Sequence, residues 1–186
     1  MPKRKVILVT DGDQIAKEVL ELVAKQIGGR CISLSSGNPT PLSGPMLVAL
    51  IQQTPYDPVL VMFDDCGNAK EGMGERALRY VASHPDIQVL GVIAVASNCT
   101  KGRGTPIHMA VDLHGQIVSH CIDKDGQIQK NKPLRIYGDT VEVLNHIQVP
   151  IVIGIGDIGK MRRKDHVRIG APITTKAVQL ILNMYR

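Results

Sequence analysis

The sequence predicts an α/β domain of three layers, a mainly parallel sheet with helices on both faces. Two observations lead there. Short continuous apolar runs alternate with stretches of helical period, and this alternation implies β-α-β crossovers. Apolar residues make up 44% of the chain but aromatic ones only 3%, so the core is built from Val, Ile, Leu and Met, the usual filling of a parallel sheet buried on both sides. The length of 186 residues suits one domain spanning 1–186 and burying roughly 70% of its unfolded surface.

Taken in order, KVILVT (5–10) is a buried strand, and Ile15, Val19, Leu22, Val23 and Ile27 then repeat at helical spacing. GGRCISL restarts a strand. Pro41, Ser43 and Pro45 open a second helix carrying Met46, Leu47, Leu50 and Ile51. PVLVMF (58–63) is the next strand, EGMGERALRYVASH (71–84) the next helix, and IQVLGVIAVAS (87–97) a long buried strand.

Beyond residue 105 the pattern changes. VDLHGQIV (111–118) and IDKDGQIQ (122–129) match at an offset of eleven, and their His114-Gly115 and Asp125-Gly126 pairs suit hairpin turns. This reads as a short antiparallel β meander around residues 110–130. GDTVEVLNHI (138–147) reads as a helix opened by a capping box of Asp139 and Glu142. VPIVIGI supplies another strand, and ITTKAVQLILNMYR a last helix with Val178, Ile181, Leu182 and Tyr185 turned inward.

The bulk features exclude several classes. Cys31, Cys66, Cys99 and Cys121 are widely spaced, as reduced structural thiols are, and no C-x-x-C pair suggests a disulfide framework. His114, His120 and Cys121 lack zinc-ligand spacing. No G-x-S-x-G elbow supports a hydrolase triad. No run approaches the roughly 20 apolar residues of a membrane helix, and the basic start MPKRK precedes too short an apolar run for a secretory leader. Scarce aromatics argue against single-stranded nucleic acid, so no nucleic acid is expected. The net charge of +5 is concentrated in two loops, one with Lys101 and Arg103, the other with Lys160, Arg162, Arg163, Lys164 and Arg168. Such loops suit an anionic ligand, an acidic partner or a lipid surface.

Open parallel sheets bind ligands beyond the carboxyl ends of their strands. Asp11 and Asp13 follow the first strand there, Asp64 and Asp65 the third, and Asp157 and Lys160 the last. Clustered carboxylates repel unless a cation offsets them, so Asp11, Asp13, Asp64 and Asp65 form an acidic rim fit for Ca²⁺ or Mg²⁺. The alternative is helix capping by Asp13 and by Asn68 with Glu71. The arrangement resembles the Toprim type of α/β domain, although TDGD lacks the expected Glu and DDCG sets its acids side by side. GIGDIGK (154–160) fits both G-x-G-x-x-G and G-x-x-x-x-G-K, but no acid-bearing second strand follows, and Met161 stands where Ser or Thr should meet Mg²⁺. A glycine-rich loop bearing basic side chains for a surface contact suits it better.

KRKVILVTDGD, VLVMFDDCGNAKEGMGERALRYVASHP, VIAVASNC, VDLHGQIV and VPIVIGIGDIGKMRRKDH together resemble the soluble member of the stage V sporulation protein AE family of spore-forming Bacillus-type bacteria. The resemblance spans essentially the whole chain and implies membership in the stage V sporulation A group, which moves dipicolinic acid, chelated with Ca²⁺, into the spore and releases it at germination. It implies a non-enzymatic accessory subunit, soluble in the forespore or spore and peripheral to the inner membrane. Its partners would be the other stage V sporulation A proteins, the inner membrane surface and dipicolinate. The fold's Toprim-like or Rossmann-like character leaves a Mg²⁺-dependent phosphodiester or phosphotransfer enzyme as the alternative.

Overall fold

The computed structural model describes residues 2–65, 71–98 and 102–185. β1 (Arg4–Val9), α1 (Gln14–Gln26), β2 (Arg30–Cys31), α2 (Gly44–Gln53), β3 (Val59–Met62), α3 (Met73–Ser83) and β4 (Ile87–Val95) alternate as the sequence predicts. The short strands β5 (Thr105–Pro106), β6 (Met109–Val111), β7 (Ile117–Val118), β8 (Cys121–Ile122), β9 (Ile128–Gln129) and β10 (Arg135–Ile136) follow. β11 (Val152–Ile155) and α4 (Pro172–Asn183) close the fold.

The main sheet has the order β2-β3-β1-β4-β11-β6-β7. Its strands are parallel except for β7, which pairs antiparallel with β6. Alternating residues of β1 serve opposite layers: Val6 and Leu8 pack with Leu47 and Ile51 of α2 and Leu78 and Val81 of α3. Ile7 and Val9 pack with Val19 and Val23 of α1 and Val178 and Ile181 of α4. Strands buried on both faces have no polar side to show, which is why they read as unbroken apolar runs. The chain winds outward from β1 through β2 and β3 and then crosses to β4, so the winding direction reverses between β1 and β4. Such a reversal opens a crevice at the carboxyl ends of the two strands.

Two expectations need correcting, and a third gains detail. Residues 138–147 form no α-helix, only a 3-10 turn over Glu142–His146. Glu142 does not close a capping box; its Oε1 accepts from the backbone N–H groups of Arg103 at 2.6 Å and Gly104 at 3.2 Å. The short antiparallel segment around residues 110–130 is present as two hairpins, with β6 and β7 extending the main sheet and β8 and β9 forming a sheet of their own. Both turns are nucleated alike, which accounts for the eleven-residue repeat. Asp112 Oδ1 accepts from the N–H of His114 and Gln116, and Asp123 Oδ1 from that of Asp125 and Gln127. Gly115 and Gly126 supply the positive φ, 73° and 76°. Finally, Ile15, Met46 and Tyr185 lie at exposed positions. Tyr185 still reaches the sheet by donating its hydroxyl to the Leu90 carbonyl at 2.9 Å.

Candidate functional site

The crevice at the strand ends has a volume of about 510 Å³ and is lined by residues from four strand termini, among them Asp11 after β1, Asp64 after β3, Ser97 after β4 and Asp157 after β11. Lys160 and Asp13 also face it, as do Lys124 from the β8–β9 turn and Asp139 from the loop before the 3-10 turn. Backbone stitching holds these ends together. The Gly12 carbonyl accepts from Gly37 N–H at 2.8 Å, and the buried Thr40 hydroxyl accepts from Asp64 N–H at 2.8 Å. Gly12 is required at its position, because a Cβ there would stand 2.7 Å from the Gly37 carbonyl and 3.0 Å from Asp64 Cβ.

The four predicted acids take different roles. Asp13 is the N-cap of α1, its Oδ1 accepting from Ala16 N–H at 2.8 Å, while its Oδ2 holds the Lys160 ammonium at 2.7 Å. The same ammonium meets Asp157 Oδ2 at 3.0 Å. Burial draws Lys160 down, but its hydrogen bonds to Asp13 and Asp157 outweigh this and hold it above the usual lysine range. Asp65 does not line the crevice. Its two oxygens accept from the N–H groups of Gly74 and Glu75, both at 2.6 Å, and so open α3. Adjacent residues leaving a strand point to opposite sides, so neighbouring acids could not both face one ligand; that alternation was readable in the sequence.

Asp11 differs from the others. It is 8% exposed, and its Oδ2 is buried with no hydrogen-bond partner among the described residues, while Asp13 N–H approaches Oδ1 at 3.4 Å. Burial, then the charges of Asp13 and Asp157 and more weakly Asp64, push its carboxyl up to about 7. Among the described residues no three His, Cys, Asp or Glu side chains are disposed to hold a metal ion, so the Ca²⁺ or Mg²⁺ expected at the rim meets no ready-made cage.

The glycines of GIGDIGK serve packing. A Cβ on Gly154 would meet Ile107 Cδ1 at 2.7 Å, and one on Gly156 the Lys124 carbonyl at 2.6 Å. Gly159 has φ 75° and abuts Ile15 and Val19 of α1. Instead of cradling phosphate, Gly156 lets the β8–β9 turn close on β11, where Asp157 N–H donates to the Lys124 carbonyl at 2.7 Å.

Beyond Lys160 the chain turns through Met161, Arg162 and Arg163 with φ of 39°, 54° and 68°. Met161 is fully buried. Asp165, also fully buried, accepts from the N–H groups of Gly159, Ile173 and Thr174 and from the Thr174 hydroxyl at 2.6–3.0 Å. It thereby ties the turn to the start of α4. Arg162, Arg163 and Lys164 point into solvent, and none has a side-chain partner among the described residues. Of the other basic loop, Lys101 lies outside the described residues, as do Asn68, Cys66 and Cys99. Arg103 is not among the residues that line the crevice; its carbonyl accepts from Arg135 Nε at 2.8 Å. Cys31 and Cys121 are free and buried, and burial pushes the Cys31 thiol up to about 12. Sequence reasoning missed Lys124, Asp139 and the organising carboxylate Asp165.

The fold and crevice define a doubly wound α/β domain with an acidic pocket at its switch point and an outward basic turn. The chain belongs to the stage V sporulation protein AE1 family, SpoVAE, whose sequence profile matches residues 5–184, nearly the whole chain. Its role is accordingly sporulation-related. No curated protein and no solved structure matches it. No helix among the described residues is long and apolar enough to cross a membrane.

Proposed function

We propose that this chain is a non-enzymatic accessory subunit of the stage V sporulation A complex that moves Ca²⁺-dipicolinic acid, and that it docks through its basic turn on the anionic surface of the spore inner membrane, beside the membrane components of that group. Family membership supports the sporulation setting. The observation that carries the docking is the left-handed turn itself. Three successive non-glycine residues at positive φ cost roughly 1 kcal/mol or more each, and buried Met161 and Asp165 hold them there. The outcome is a fixed presentation of Arg162, Arg163 and Lys164, with Ile15 42% and Ile169 58% exposed on the neighbouring elements. Basic side chains around exposed apolar ones match anionic headgroups over an acyl boundary.

Flotation on vesicles with and without phosphatidylglycerol tests this. The wild type should float with the acidic vesicles, and Arg162→Glu with Arg163→Glu should weaken vesicle affinity by roughly thirtyfold or more, about 1 kcal/mol being lost per basic side chain near the surface. The variant's circular dichroism should be unchanged. Flotation on neither removes the membrane reading and leaves the turn for an acidic protein partner, whereas equal flotation on neutral vesicles overturns the role given to the basic turn.

A further inference from the structure

We infer that the strand-end crevice is a binding site for a small organic cation, a ligand bearing a primary ammonium or guanidinium group, with Asp11 as its counter-ion.

Three observations converge. The charges of Asp13, Asp157 and Asp64 bear on Asp11, and of the two lysines that line the crevice among the described residues, Lys124 and Lys160, it is Lys160 that is bonded to Asp13 and Asp157. Asp11 is left without it: a carboxylate more than nine-tenths buried, in the crevice wall, with one oxygen unpartnered. A buried polar atom without a partner carries its full desolvation cost, which an incoming donor removes.

The chemistry favours nitrogen over a bare metal. A hard divalent cation seeks six or more oxygens, and no three acidic, His or Cys side chains among the described residues are arranged for one. Asp65 and Asp13 are also committed to helix N-termini. An ammonium needs about three acceptors. The crevice already holds one such group, since the Lys160 Nζ sits between two carboxylates at 2.7 and 3.0 Å. A volume of about 510 Å³ falls within the range of small-molecule sites. Thr10, Asn38, Ser97 and Asn98 add hydroxyl and amide groups that would orient the rest of the ligand. Vesicle docking is not required for this binding, because the basic turn faces solvent while the acids face the crevice.

Calorimetry on the full chain tests it, with 1,4-diaminobutane, spermidine and arginine as probes and CaCl₂, MgCl₂ and KCl at matched ionic strength as comparisons. At least one amine should bind at millimolar concentration or below, and Asp11→Asn should weaken it roughly tenfold or more, as expected for loss of one charge-assisted contact. Asp86→Asn, at an exposed carboxylate elsewhere, should not. A second variant covers the case in which Asp11→Asn perturbs folding. Lys160→Ala vacates Asp13 and Asp157, so amines should bind it more tightly than wild type and raise its Tm. Silence towards every amine, or amine binding indifferent to both variants, overturns the inference. So does Ca²⁺ or Mg²⁺ binding that Asp11→Asn abolishes while amines stay silent.

Discussion

At the scale of single residues, Asp11 is where sequence, burial and charge meet. Its carboxyl stands at about 7 in the folded chain against 3.8 as its reference value. Between those values the folded state keeps a proton that the unfolded chain releases, so this group's contribution to stability falls as pH rises and is fully lost above about 7. The span corresponds to about 4 kcal/mol, burial being its main cause and the charges of Asp13, Asp157 and Asp64 adding to it. Asp11→Asn removes the titration while nearly preserving shape. In urea unfolding the variant should gain on wild type steadily from pH 4.5 to about pH 7 and level off above it. A difference that stays constant with pH would show that Asp11 is already ionised in the fold, compensated by a partner.

Whole elements were legible where packing alone decides them. The strands β1, β3, β4 and β11 are buried on both faces, and that burial writes an unbroken apolar run into the sequence. The duplicated hairpins were legible because each turn needs an Asp acceptor and a glycine at fixed spacing. Residues 138–147 misled, because a helical period and an apparent cap were present while Glu142 spends its carboxylate on the loop at Arg103 and Gly104. Likewise, Lys124 and Asp139 enter the crevice on connections whose placement depends on distant docking, which no local pattern records. That docking is testable at Gly156. A methyl group there would lie 2.6 Å from the Lys124 carbonyl and 2.7 Å from Gly126 N, both backbone atoms with little room to yield. Gly156→Ala should therefore cost about 1–3 kcal/mol and raise hydrogen exchange at the Asp157 amide. An unchanged Tm would mean that the glycine serves something other than this close approach.

Across the whole molecule, acidic and basic side chains are unevenly distributed. The chain carries a formal +5, yet among the described residues five aspartates and two lysines line one crevice, so the remaining surface is more basic than the total suggests. The two sites consequently differ in their exposure to salt. Arg162, Arg163 and Lys164 stand in solvent, where ionic strength screens charges beyond roughly 10 Å at 0.1 M. Asp11 and Asp64 are each only 8% exposed, and their field acts over short distances through a poorly screened interior. Raising NaCl from about 0.05 to 0.5 M should reduce vesicle binding by an order of magnitude or more, given several lipid contacts. Over the same range amine affinity should fall by only a few-fold. Parallel loss of both would mean that the amine is held at the outer surface and the crevice is not its site. Salt-resistant flotation would instead place apolar insertion at Ile15 and Ile169 ahead of charge in holding the protein to the bilayer.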